Sequence, residues 1–192
     1  MAEVDLHLHT TISDGRLSPP QLVELLAQRG LRVVAITDHD ITDGLEPAWE
    51  AAAAHPELTI IPGVELSTDI PGNEIHILGY CVDYRDQEFQ GYLREFRRSR
   101  EDRAEQMVAR LTELGMPLDW KRVQQIAGEG AIGRPHIAHA MLEKGYISHL
   151  QEAFDRYLSR NGPAYVGRGK QRPEEAIRLV LQAKGIPVLA HP

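Results

Sequence analysis

VDLHLHTTISDGRLSPPQLVELLAQRGLRVVAITDHD, residues 4–40, decides the fold. Its first six residues have strand character. Ser18 can then cap a helix, Pro19 suits the first turn, Gln21 completes a capping box with Ser18, and Gly30 stops the helix. The aliphatic run LRVVAIT at 31–37 makes a second strand. Strand, helix and strand at this spacing imply parallel pairing through a right-handed crossover. Further out, a second helix is expected from Leu45 to Ala54, with Asp43 as its cap and Glu46 at the third position. More strands are expected at 58–67 (LTIIPGVELS), 74–82 (EIHILGYCV) and 186–190 (IPVLA).

From Phe89 the alternation gives way to successive helical segments. EFRRSREDRAEQMVARLTELG places Phe96, Met107, Val108, Leu111 and Leu114 near one stripe. DWKRVQQIAG, RPHIAHAMLEKG and SHLQEAFDRYLSR follow, the last opened by Ser148 and Gln151 as a capping box. RPEEAIRLVLQAKG then resumes the strand–helix pattern. The organisation expected is the N-terminal part of a barrel over 1–88, a helical insertion or cap over 89–165, and the barrel resumed over 166–192. A chain that stops directly after a strand reads as truncated.

Composition narrows the function classes. With 42% apolar and 26% charged residues the chain is of ordinary globular type. A net charge of -7 disfavours non-specific binding to duplex DNA, although a few placed cations would still admit a short single strand. Cys81 is the single cysteine, so an internal disulfide and a thiolate metal cluster are both excluded. Cys81 itself reads as a small buried side chain. No run of 18 apolar residues and no secretory leader is present, which points to a cytoplasmic protein without membrane partners.

Residues with metal-ligating chemistry recur at the ends of the strands. His7 and His9 alternate along one strand and point to one side, with Leu6 and Leu8 on the other. Asp14 follows in an SDG loop, where a turn would explain it equally well. TDHD puts Asp38, His39 and Asp40 after the second strand, and a turn or cap could claim either aspartate. Glu65 lies inside the apolar run VELS, where a carboxylate must be paired or coordinated; an arginine partner is the plainer alternative. His76 in EIHILG could be a hydrogen-bonded core histidine, and His191 ends the fifth strand. Imidazoles and carboxylates without sulfur suit Mn, Fe or Zn, and a glutamate with two oxygens can bridge two ions. His55 and His149 read as surface residues, and His139 as one that packs or caps locally. Arg97, Arg98 and Arg100 alternate with acids and read as a solvated helix face.

Together DLHLHT, SDG, TDHD, PGVE and EIHILGY resemble the opening motifs of the polymerase and histidinol phosphatase (PHP) superfamily of metal-dependent phosphoesterases. The likeness is greatest to its bacterial branch acting on nucleoside 3',5'-bisphosphates and on the 5' ends of short RNAs. It implies an α/β fold, a distorted (β/α)7 TIM-like barrel that is incomplete here and carries a helical insertion. It also implies two or three divalent ions, manganese foremost with iron or zinc as alternatives. His7, His9 and Glu65 would hold one ion, Glu65, His76 and His191 a second, and Asp14 with His39 a third. A late Asp-x-His motif that completes these sites in the family lies outside this sequence.

Glu65 and His39 are the groups expected closest to the chemistry. Arg134 and His136, in GRPHIA, are expected to grip the non-reacting phosphate, with Arg168 and Lys170 of GRGK as weaker candidates; surface residues at a helix start and a solvated loop are the plainer readings of the two segments. The expected activity removes the 3'-phosphate of nucleoside 3',5'-bisphosphates to give 5'-mononucleotides, with trimming of short 5'-phosphorylated RNA at the same centre. A phosphatase of another small monoester, such as a histidinol-phosphate-like substrate, and a non-catalytic metal-bound module are the alternatives.

Overall fold

The computed structural model describes residues 3–70, 73–128, 130–167 and 172–191. Its centre is a five-stranded sheet in which every strand lies beside the next in sequence. The strands are β1 (Val4–Leu8), β2 (Val33–Ile36), β3 (Thr59–Ile70), β4 (Asn73–Tyr80) and β5 (Ile186–Leu189). Helix α1 (Pro19–Gln28) connects β1 to β2, and α2 (Leu45–Ala52) connects β2 to β3. These two crossovers give the parallel pairs that the sequence implies. Of the Ser18–Gln21 capping box, the glutamine half is formed: the Ser18 N–H donates to the Gln21 Oε1 at 3.0 Å, and the Ser18 hydroxyl makes no cap bond. Helix α2 instead starts at Gly44 with no side-chain cap, and Asp43 reaches outward to Arg97.

Parallel pairing does not continue along the sheet. β3 and β4 pair antiparallel from Gly63↔Tyr80 to Ile70↔Asn73, and β5 is antiparallel to β4. Only Pro71 and Gly72 separate β3 from β4 in the sequence. A parallel partner needs a crossover of a dozen or more residues, so a hairpin is the solution open to so short a connection. Glu65 and His76 consequently lie within a long hairpin, not at the carboxyl ends of two barrel strands. The sheet curls without closing: the Tyr80 hydroxyl donates to the Leu6 carbonyl at 2.9 Å, while β1 and β5 remain its edges, exposing Val4, Ile186, Val188 and Leu189.

Alternation along the hairpin separates chemistry from core. Val64, Leu66 and Ile77 pack against Phe89, Leu93 and Phe96 of α3 (Gln87–Glu113) and against Ala176, Leu179 and Val180 of α7 (Pro173–Gln182). Glu65, Ser67, Glu74 and His76 occupy the opposite, concave face, because side chains alternate and directly paired residues share a side. Close packing of α7 leaves no room at Gly79, where a Cβ would sit 2.8 Å from the Val180 Cγ2. Gly79→Ala is expected to cost about 1–3 kcal/mol, read as a lowered urea midpoint with an unchanged slope.

The 27 residues of α3, roughly 40 Å of helix, span two cores. Its first half packs on the sheet; Ala104, Met107, Val108 and Leu111 of its second half belong to a separate apolar cluster. That cluster includes residues of α4 (Trp120–Ala127), α5 (Arg134–Glu143), α6 (Leu150–Ala153) and a π-helical turn, Phe154–Leu158. The stripe expected on α3 is buried except for Leu114, which lies at the fraying end of the helix, 44% exposed. The cap of α6 is also one residue later than expected. His149 accepts from the Glu152 N–H, and Glu152 in turn accepts from the Ser148 N–H, while Gln151 donates to Asp155 instead. Cys81 is exposed with φ 56°, in the turn that ends β4, and His139 faces solvent. Among the described residues, no helix is long and apolar enough to cross a membrane.

Candidate metal centre

Glu65 sits at the middle of a closed ring of five imidazoles. Going round, His7–His9, His9–His39, His39–His76, His76–His191 and His191–His7 have centroid separations of 5.2, 4.8, 5.0, 6.0 and 5.0 Å. Every ring approaches the carboxylate. The Glu65 Oε2 lies 2.9 Å from His7, 3.0 Å from His9 and 3.5 Å from His39. Oε1 lies 2.7 Å from His76 and 3.3 Å from His191. Asp14 stands outside the ring, 3.6 Å from His9 and 3.8 Å from His39.

Local backbone structure places each of these groups. His39 faces Glu65 because the chain resumes β-type pairing beyond β2. Asp40 N–H donates to the Glu65 carbonyl and Glu65 N–H to the Asp38 carbonyl. Asp38 is buried and clamps the loop after β1, accepting from the Thr10 N–H, the Thr10 hydroxyl and the Ser13 hydroxyl, each at 2.7 Å. This aligns His9 and Asp14 with His39. His191 follows from the Ala190 N–H donating to the His76 carbonyl.

Burial and charge set a neutral His39 beside an ionised Glu65. Burial would raise Glu65, but hydrogen bonds from His76 and His9, the nearby His39 and the bond from His7 hold it far below the usual carboxylate range. Burial, reinforced by the Arg100 guanidinium, pushes His39 well below the ordinary imidazole value. His9 moves the other way, since Glu65 and Asp14 outweigh its burial. Neutral imidazole is the form that binds a cation.

Two triads, His7/Glu65/His191 and His9/His39/Glu65, bring ligand atoms within 4.8 Å of one another. Both contain Glu65. They pair His7 with His191 and His9 with His39, where the family resemblance pairs His7 with His9 and His76 with His191. The donor set fits a divalent cation on a further observation. The His76 Nε2 is buried with no hydrogen-bond partner among the described residues, a costly arrangement for a polar nitrogen unless a cation completes it.

Beside the ring lies a cavity of about 210 Å³ lined by Asp14, His39, His76, Arg100, Arg103 and Arg134 among others. Of the expected phosphate-gripping residues, Arg134 is on this wall. His136 is buried one turn into α5, its Nδ1 accepting from the Gly133 N–H and its pKa lowered chiefly by burial. Arg168 and Lys170 lie outside the described residues.

Arg100 and Arg103 are the cations that the alternating charges conceal. Both are buried. They belong to the stripe Phe96, Arg100, Arg103, Ala104, Met107, Leu111, whose helical spacing gives them away. Arg100 donates to Asp40 at 2.7 Å, to the Ser67 hydroxyl at 3.0 Å and to the Ile132 carbonyl at 3.1 Å.

Known proteins share this arrangement of chain. The PHP domain family matches residues 5–162. An Escherichia coli protein named 5'-3' exoribonuclease Rnm is 36% identical over 189 residues, covering 98% of this chain and 64% of its own length. A 3',5'-nucleoside bisphosphate phosphatase from Chromobacterium violaceum is 33% identical over 193 residues, covering 100% of this chain and 67% of its own length. Among solved structures, one from Bifidobacterium adolescentis, assigned as a metal-dependent phosphoesterase, superposes with a TM-score of 0.90 at 32% identity. That match covers 98% of this chain and 66% of the other. This chain therefore spans just under two thirds of the E. coli relative.

Proposed function

The chain belongs to the PHP domain family, and from that premise we propose that it is part of a metal-dependent phosphoesterase acting on small phosphate esters of the nucleotide class. The finer reading is removal of the 3'-phosphate from a nucleoside 3',5'-bisphosphate, with short 5'-phosphorylated RNA accepted at the same centre. One observation supports it: the imidazole ring around Glu65 borders a cavity lined by Arg100, Arg103 and Arg134, so an ester phosphorus at the ring and a second, non-reacting phosphate in the cavity would have separate seats.

His7, His9, His39, His76 and His191 would hold two or three divalent ions, with Glu65 between them and Asp14 at the outer edge. When bound, such ions supply charge to the phosphoryl oxygens and activate water for in-line attack. The protein's own groups do the rest. Glu65 turns Oε2 to His7, His9 and His39 and Oε1 to His76 and His191. His39, kept neutral by burial and Arg100, stays available as a ligand or as a proton acceptor beside the reacting group. Arg134 reaches into the cavity from the first turn of α5, where a planar guanidinium fork suits a terminal phosphate.

The reading is tested by phosphate release from adenosine 3',5'-bisphosphate with the full-length protein and manganese, against AMP and a 5'-phosphorylated RNA trimer. Conversion to 5'-AMP with AMP untouched is the result expected; failure on the bisphosphate and the trimer despite full metal loading would remove the nucleotide assignment. Arg134→Met should raise KM for the bisphosphate by roughly 10- to 100-fold, the loss of one charge-assisted hydrogen-bonding group. A fall in kcat at unchanged KM would place Arg134 elsewhere.

A further inference from the structure

Among the described residues, four arginines fasten the helical segment to the concave face of the sheet through three acids: Arg100 to Asp40, Arg160 to Asp69, and both Arg103 and Arg134 to Glu74. The last differs in kind. One carboxylate serves two guanidiniums, a separate one on each oxygen: Arg103 at 2.7 Å on Oε1, and Arg134 on Oε2. The Tyr165 hydroxyl adds a third donor to Oε1 at 3.1 Å. Arg103 is further tied by its Nε to the Val166 carbonyl, which fixes the plane of its fork.

Three donors from three segments converging on one anion make the arrangement that a terminal phosphate, with three acceptor oxygens, requires. Arg103 and Arg134 both line the cavity next to His39 and His76. Glu74 and His76 are two residues apart on one strand face, a separation of about 7 Å, which a single sugar phosphorylated on two hydroxyls can bridge.

We propose that Arg103 and Arg134 form a two-guanidinium seat for a phosphate group, and that Glu74 is the internal anion which a ligand must displace to take it. Glu74 is then a specificity-determining residue. It lowers the attraction of the empty cavity for weakly charged anions and leaves the seat to a dianion able to outcompete a carboxylate for both forks. It rests on the phosphoesterase reading only for the class of ligand; the exchange itself is a property of the three side chains.

The consequence is opposite to that of an ordinary brace. Removing the charge of Glu74 leaves two guanidiniums together, one of them nearly inaccessible to water, and an external anion relieves that repulsion. Glu74→Gln should therefore melt lower than wild type without phosphate and bind inorganic phosphate about tenfold more tightly, one charge-assisted contact no longer having to be broken. The experiment is titration of inorganic phosphate into metal-loaded full-length protein, followed by calorimetry and by melting temperature. In the Glu74→Gln/Arg103→Met double variant the gain should vanish. Tyr165→Phe, which keeps every charge and removes one bond to Glu74, should give a gain of about two- to threefold, and it serves in place of Glu74→Gln should the latter not fold. Phosphate binding that is unchanged or weaker in both Glu74→Gln and Tyr165→Phe would overturn the exchange and make Glu74 a brace for Arg134. Hydrolysis by the wild type reports separately: a protein inert towards phosphate esters that still shows the gain would lose the functional reading and keep the seat.

Discussion

Replacing Glu65 by glutamine is expected to strip most of the bound metal from the protein and to lower phosphate release by at least about 10- to 100-fold, the loss already typical when only a group supporting a metal's ligands is removed. Glutamine has nearly the same shape and retains one carbonyl oxygen. It cannot carry the negative charge that five imidazoles now surround, nor offer an anionic oxygen to both sets of rings. A ligand that binds only the folded state stabilises it, so chelation should lower the melting temperature of wild type and leave Glu65→Gln almost unmoved. Metal per chain, counted by plasma emission after gel filtration, decides the matter. A variant that retains its full metal complement would show that Glu65 merely satisfies buried histidines, the plain ion-pair reading of a carboxylate in an apolar strand.

The five histidines named for a metal stand in one ring about Glu65, with Asp14 just outside it, because the residue types and their placement after aliphatic runs are local signals. The route by which Glu65 and His76 meet was not legible from strand character alone. The decisive signal was the Pro71–Gly72 dipeptide, a turn marker too short for a crossover, which turns two expected barrel strands into one hairpin. With that reversal His76 comes opposite Ser67, next to the pair occupied by Glu65.

Charge patterning misled where helical periodicity would have served. Arg100 and Arg103 lie among acids in the linear sequence, yet three- and four-residue spacing puts them in line with Phe96, Ala104 and Met107. Glu74 gave no local sign at all. Its role depends on Arg103, Arg134 and Tyr165, separated from it by 29, 60 and 91 residues. Networks joined only by the packing of a helical segment onto a sheet leave no trace in any window of sequence.

Arg100→Met is expected to destabilise the protein by about 3 kcal/mol, because a cation paired with the fully buried Asp40 at 2.7 Å is lost while the carboxylate remains. In a chain of this size that is a fall in melting temperature of about 10 °C. Methionine preserves much of the arginine stem, so the loss reports the guanidinium and its bonds to Asp40, Ser67 and the Ile132 carbonyl. Asp40→Asn in the same chain should restore part of the stability. Asparagine tolerates the left-handed backbone at this position, φ 57°, and can still accept from the Ser67 N–H. The double variant also separates charge from packing: if the two losses simply add, the pair has no coupling and the helix is held by apolar contacts alone. A metal effect should accompany the stability effect. Burial first and the Arg100 guanidinium second keep His39 deprotonated, so without the guanidinium protons compete better for the ring, and metal affinity should drop more steeply on acidification than in wild type. Stability lost with an unchanged pH slope would make Arg100 a fastening of the fold; stability and slope changing together would make it a positioning residue for His39.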